Sequence, residues 1–114
     1  MEEVIKLMIG VPEKDADKIR KVLGENGAGK IGNYEYCSFS FKGTGRFLPI
    51  DGANPAIGEI GKLEEVAEEQ IQTVCYKKDL AKIIKAVREA HPYEEPPIEY
   101  WPLMNIESKE EIKN

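Results

Sequence analysis

The order of periodicities along the chain predicts an α+β fold, with two helices gathered on one side of an antiparallel sheet. Residues 4–11 alternate, and Ile5, Leu7, Ile9 and Val11 share one face, as a strand packed on one side requires. Ala16, Ile19 and Leu23 then keep helical spacing, and a β-rich run at 71–76 followed by a helical stripe at Leu80, Ile83, Ile84 and Val87 repeats the succession. Between the two halves lies a segment, 27–61, that holds eight of the ten glycines, the composition of tight turns around strands. Two βαβ halves of this kind make a ferredoxin-like βαββαβ sandwich, here with an extra hairpin arm. One sheet face is left without helices. In a chain of 114 residues, association of subunits is the simplest cover for it.

Each element has a local reason. Pro12 stops the first ladder and can open a helix, and Glu13 and Asp15 fall in the first turn, where negative charge suits the helix dipole. Asn26-Gly27 reads as the end of that helix. Residues 34–42 alternate again, with Cys37, Phe39 and Phe41 on an apolar face and Tyr36, Ser38 and Ser40 on a polar one. Gly43-Thr44-Gly45 reads as a turn and Arg46-Phe47-Leu48 as a short return strand ended by Pro49, which together form the arm. A second turn cluster follows at residues 51–55. Residues 63–72 carry two conflicting signals: Leu63, Val66, Ala67 and Ile71 fit helical spacing, whereas 71–76 reads as strand. Asp79 is placed to cap the second helix, Pro92 ends it near His91, and residues 98–103 form the last strand. In the polar tail from Met104, Ser108 and Glu111 have the spacing of a capping box for one short helix.

Length fixes one domain. The net charge of −5, with every Lys or Arg interleaved with Asp or Glu, argues against nucleic acid and anionic membrane as partners. No apolar run approaches the roughly 20 residues of a membrane span. The first residues read as neither signal nor transit peptide. Cys37 and Cys75 make no CxxC pair, so the expectation is a cytoplasmic protein with two reduced thiols.

Three stretches, GAGKIGNYEYCSFSFKGTGRFLP, GANPAIGEIGKLEEV and AHPYEEPPIEYWPL, together resemble the YqfO-type domain, the insert within many bacterial members of the NGG-interacting-factor-three-like family of hexameric dinuclear-metal proteins. The resemblance covers residues 4–103, leaving 104–114 as a polar tail. HPYEEPPI is also similar to the HPYExPxI signature of CutA, the divalent-cation tolerance protein. Both groups share the trimeric ferredoxin-like fold of the PII signalling proteins. The resemblance therefore implies a PII/CutA-like homotrimer with bare sheet faces packed round a three-fold axis, and it resolves most of residues 63–72 in favour of strand. The chain departs from the larger family in holding a single histidine, His91, and in lacking the flanking domains. The dinuclear site and any hydrolase activity it supports are therefore not carried over, and the expectation is the insert domain standing alone.

The expected function is a non-enzymatic trimeric binding or regulatory module, taking a small ligand or a divalent cation at subunit clefts. The alternative is an assembly domain for a partner protein, with no ligand of its own. Cys37, His91 and Glu94 are the candidate metal ligands, since a soft or borderline cation needs three or four convergent donors of these types. Gly29, Asn33 and Tyr34 are the candidate cleft-lining residues, by analogy of fold. Each has a plainer reading. His91 can serve as a helix-terminal residue bonding the last carbonyls, and Cys37 as a small hydrophobe packed with Phe39 and Phe41. The glycine loop can be turn geometry at a subunit contact. Tyr93, Tyr100 and Trp101 read as packing or trimer contacts, and Glu64, Glu65, Glu68 and Glu69 as a solvated surface. An enzyme with Cys37 as nucleophile or His91 as base ranks last, because no third group is visible to orient a base.

Overall fold

A computed structural model describes residues 3–104; the short helix expected at Ser108 and Glu111 lies outside them. Strand β1 (Val4–Pro12) leads through a 3-10 turn into helix α1 (Ala16–Glu25), then come β2 (Phe39–Phe47), β3 (Glu64–Tyr76), α2 (Leu80–Ala90) and β4 (Ile98–Leu103). The sheet runs β2-β3-β1-β4 with every neighbouring pair antiparallel. This is the expected ferredoxin-like order, in a body 55 × 28 × 22 Å.

Register settles which residues share a face, because directly paired residues point the same way. Ile5 pairs with Cys75, Leu7 with Thr73, Ile9 with Ile71 and Val11 with Glu69. This face meets the helices, where Ile19 and Leu23 of α1 and Ile83 and Val87 of α2 bury themselves against Leu7, Ile9, Val11 and Ile71. Each such side chain contributes roughly 1.5–3 kcal/mol through the area it removes from water. Asn26 closes α1 as expected: its side-chain Nδ2 donates to Val22 O at 2.8 Å, and Gly27 follows at φ +98°. Asp79 does occupy the residue before α2 but makes no side-chain capping bond.

Two expectations change. Gly43-Thr44-Gly45 is not a turn; these residues continue β2 and pair with Glu68, Ala67 and Val66. The arm is instead the far end of the β2–β3 ladder, which runs on past Pro12, the end of β1, and reverses through residues 48–63. Gly45 sits in the strand because the Glu68 side chain lies where its Cβ would be. Residues 64–72 are strand, as the resemblance implies, paired with β2 throughout and with β1 from Glu68 onward. The helical spacing of Val66 and Ala67 is overruled by the β2–β3 ladder, which pairs them with Gly45 and Thr44 and sends their two side chains to opposite faces. The apolar alternation of β2 also has an unexpected meaning. Ser40 faces the helices, accepting from Arg20 Nη1 at 3.0 Å, while Phe39 and Phe41 stand on the helix-free face, 67% and 43% exposed.

A cleft at the base of the arm

The connection from α2 to β4 is held by His91. Its Nδ1 accepts from the Tyr93 N–H at 3.1 Å, so the ring proton sits on Nε2 and is donated to Gly10 O at 2.7 Å. The neighbouring Gly10 N–H donates to Pro97 O at 3.1 Å. Past Ile9, where β4 begins, His91 and Pro97 thus satisfy the β1 edge. Burial is the main influence on the imidazole and lowers its pKa; the Gly10 carbonyl and then Glu68 and Asp15 oppose it more weakly. The sign of the consequence follows. The unfolded ring takes a proton near pH 6.5, whereas the folded ring resists it, so the unfolded state binds more protons below that pH. This part of the stability is present above pH 6.5 and is lost as pH falls through the lower folded value. Denaturant melts of the wild type should therefore weaken from pH 6.5 downward, and His91→Gln should flatten that slope; parallel slopes would contradict it.

Tyr93 carries the same connection onto the helix-free face. Its hydroxyl donates to Glu68 Oε2 at 2.6 Å, and its ring meets Phe47 edge-on with centroids 5.7 Å apart. Burial first, then the Glu68 carboxylate, push the phenol pKa well up, so Tyr93 stays a donor. The next residue, Glu94, accepts the Asn54 N–H at 3.0 Å and ties the 48–63 loop to the connection. Between these segments opens a cleft of about 490 Å³. Phe47, Leu48, Pro49 and Ile50 contribute to its walls, and Glu68 and Tyr93 also line it.

The structure spreads the anticipated site residues apart. Gly29 is a backbone crossing: its N–H donates to Val74 O at 2.7 Å and its carbonyl accepts the Cys37 N–H at 2.9 Å. Asn33 is in the two-residue turn between Ile31 and Tyr34, which exchange two hydrogen bonds of 2.9 Å, with Gly32 at φ +54°. Tyr34 is exposed. Cys37 is half-buried and outside the core, because β2 begins only at Phe39; its carbonyl accepts from Thr73 Oγ1 at 2.7 Å and its thiol faces Glu35 O at 3.9 Å. Cys75 is buried as expected, and burial, with Asp79 nearby, pushes its thiol up to about 11. Among the described residues no three His, Cys, Asp or Glu side chains converge to hold a metal ion, so Cys37, His91 and Glu94 do not form a site within one copy. Both ring nitrogens of His91 are already engaged, and a dinuclear centre does not fit this donor set.

Sequence reasoning missed Glu68 and Tyr93 as a pair. Glu68 looked like one member of an acidic run, yet it is 8% exposed. The signal was a small residue opposite a carboxylate, Gly43 paired with Glu68 and Gly45 beside it, and it becomes visible only once the β2–β3 register is known.

No family model matches the chain. It is 46% identical over 104 residues to a GTP cyclohydrolase 1 type 2 homolog of Halalkalibacterium halodurans, covering 91% of this chain and 28% of the relative. It superimposes on a Bacillus cereus protein related to NIF3 with a TM-score of 0.79 at 44% identity, over 91% of this chain and 26% of that one. The periplasmic divalent cation tolerance protein CutA of Archaeoglobus fulgidus shares the fold, with a TM-score of 0.66 at 22% identity, over 94% of this chain and 89% of that one. Sheet order, helix placement and these likenesses define a CutA-like α+β domain. More narrowly, it is a domain of the YqfO/NIF3-like kind, and it spans about a quarter of the length of the GTP cyclohydrolase 1 type 2 homologs it matches. No described helix is long and apolar enough to cross a membrane.

Proposed function

We propose that this domain is a non-enzymatic binding module that works as a homotrimer in the cytoplasm, its helix-free sheet faces packed against one another. One observation carries the reading. Phe39 and Phe41 on β2 and Trp101 and Leu103 on β4 stand on the helix-free face, all at least 37% exposed. The same face carries Met8 and Val74, with Lys6, Gln70, Gln72 and Glu99 among them. An apolar surface of this extent on a small domain marks an interaction site. The non-enzymatic part draws support from His91, whose ring nitrogens are both occupied, and from Cys75, whose thiol is held protonated. A small ligand is read into the cleft beneath the arm. A divalent cation would need donors from more than one copy, Cys37 and Glu94 among them. Sedimentation of the wild-type chain tests the reading: one three-copy species is expected, and a lone chain at micromolar concentration would refute it.

A partner-docking role, the second reading, is favoured by a different surface. Ile60 and Leu63 in the 48–63 loop are exposed, and so are Leu48 and Ile50 at the edge of the cleft. They offer apolar side chains of this loop to another protein without calling on the sheet face.

A further inference from the structure

We infer that the cleft at the base of the arm takes a small organic cation with an apolar body, a protonated alkyl- or arylammonium, and that Glu68 is its counter-charge. The inference rests on the reading of the domain as a binding module but not on three-fold assembly.

The cleft combines two features that recognise such a ligand. Its walls are apolar, from Phe47, Leu48, Ile50 and Ile57, and its volume of about 490 Å³ is that of a small-ligand site. At its floor Glu68 is 8% exposed, laid into the space that Gly45 leaves by lacking a Cβ. One carboxylate oxygen, Oε2, accepts the Tyr93 hydroxyl at 2.6 Å. No hydrogen bond or ion pair reaches the other, Oε1, from any described residue, and no described cation pairs with the group. Arg46, which also lines the cleft, is held by Glu65 at 3.0 Å. The remaining charged groups there, Glu94 and Glu95, add to the negative field. A largely desolvated carboxylate with a single neutral partner gains most from an incoming cation. A bare metal ion is a poor match, because no three acidic, histidine or cysteine side chains converge among the described residues and the walls offer carbon rather than oxygen. An ammonium on a hydrocarbon body matches both floor and walls.

Calorimetric titration of the full chain with benzylammonium, and with benzyl alcohol as the neutral match in shape, tests this. Benzylammonium should bind roughly ten- to a hundredfold tighter, the worth of one hydrogen bond to a charged group, and Glu68→Gln should bring the two to parity. Equal affinities in the wild type would overturn the charge assignment while leaving the cleft a binding site. Binding of neither probe would overturn the cleft as a site as well. A preference for the amine that survives Glu68→Gln, or zinc chloride displacing the amine, would also overturn it. Should Glu68→Gln fail to fold, the wild-type amine-to-alcohol ratio decides alone.

Discussion

Gly29→Ala should lower the unfolding free energy by about 2–5 kcal/mol, as much as truncating a buried core side chain. Gly29 has φ +83°, a conformation that costs an L-residue roughly 1–2 kcal/mol. A Cβ there would stand 2.5 Å from the Cys37 carbonyl oxygen and 2.6 Å from the Cys37 nitrogen. Both are main-chain atoms, and neither can swing aside: the nitrogen donates to Gly29 itself, and the oxygen accepts from Thr73. Overpacking against such a wall adds roughly 1–3 kcal/mol. Two controls isolate the parts. Gly32, at φ +54° with nothing within 4 Å of a Cβ, should show only the conformational cost on change to alanine. Gly43, in a strand and with open space around it, should change little. Denaturant midpoints of the three variants at one protein concentration check the ranking, and a Gly29→Ala no worse than Gly32→Ala would contradict it.

The paired change Phe39→Glu and Phe41→Glu should dissociate the assembly while leaving each chain folded. On one chain both rings stand in solvent, with centroids 6.4 Å apart, so their loss removes little from the core. In an assembly that buries the helix-free face, each aromatic anchor is worth on the order of 2–4 kcal/mol of association, and a glutamate in its place adds an unpaired charge. The association constant should fall by roughly a thousandfold or more for the pair. Far-UV circular dichroism should stay native-like. Unchanged association in this variant would place the interface elsewhere; loss of fold together with loss of association would mean that the two rings serve the chain's own core.

The core was legible in the sequence wherever a strand or helix buries one face alone. Ile5, Leu7, Ile9 and Val11 alternate into the core, and Ile19, Leu23, Ile83 and Val87 follow helical spacing onto it, because burial against a single neighbour leaves a clean period. The alternation of β2 is present, with Ser40 opposite in direction to Phe39 and Phe41, but its apolar side is the helix-free one, and a period cannot say which side is in. Gly43 and Gly45 looked like turn residues since glycine usually is one, whereas Gly45 makes room for the carboxylate of another strand. That is a long-range demand with no local trace. His91 was read as a metal candidate or a helix terminus, and its place is the second, although its partner is the far strand residue Gly10 rather than its own helix. The cleft escaped notice because its lining comes from segments more than twenty residues apart, Phe47, Glu68 and Tyr93, brought together by the β2–β3 register and the α2–β4 connection.

Molar mass in solution bears most directly on the claim that copies of this chain cover one another's helix-free sheet face. By sedimentation equilibrium at micromolar concentration, the wild type should behave as a single species of about three times the 12.8 kDa of one chain. A stable species at the mass of one chain, with Trp101 and both phenylalanines open to solvent, would contradict it.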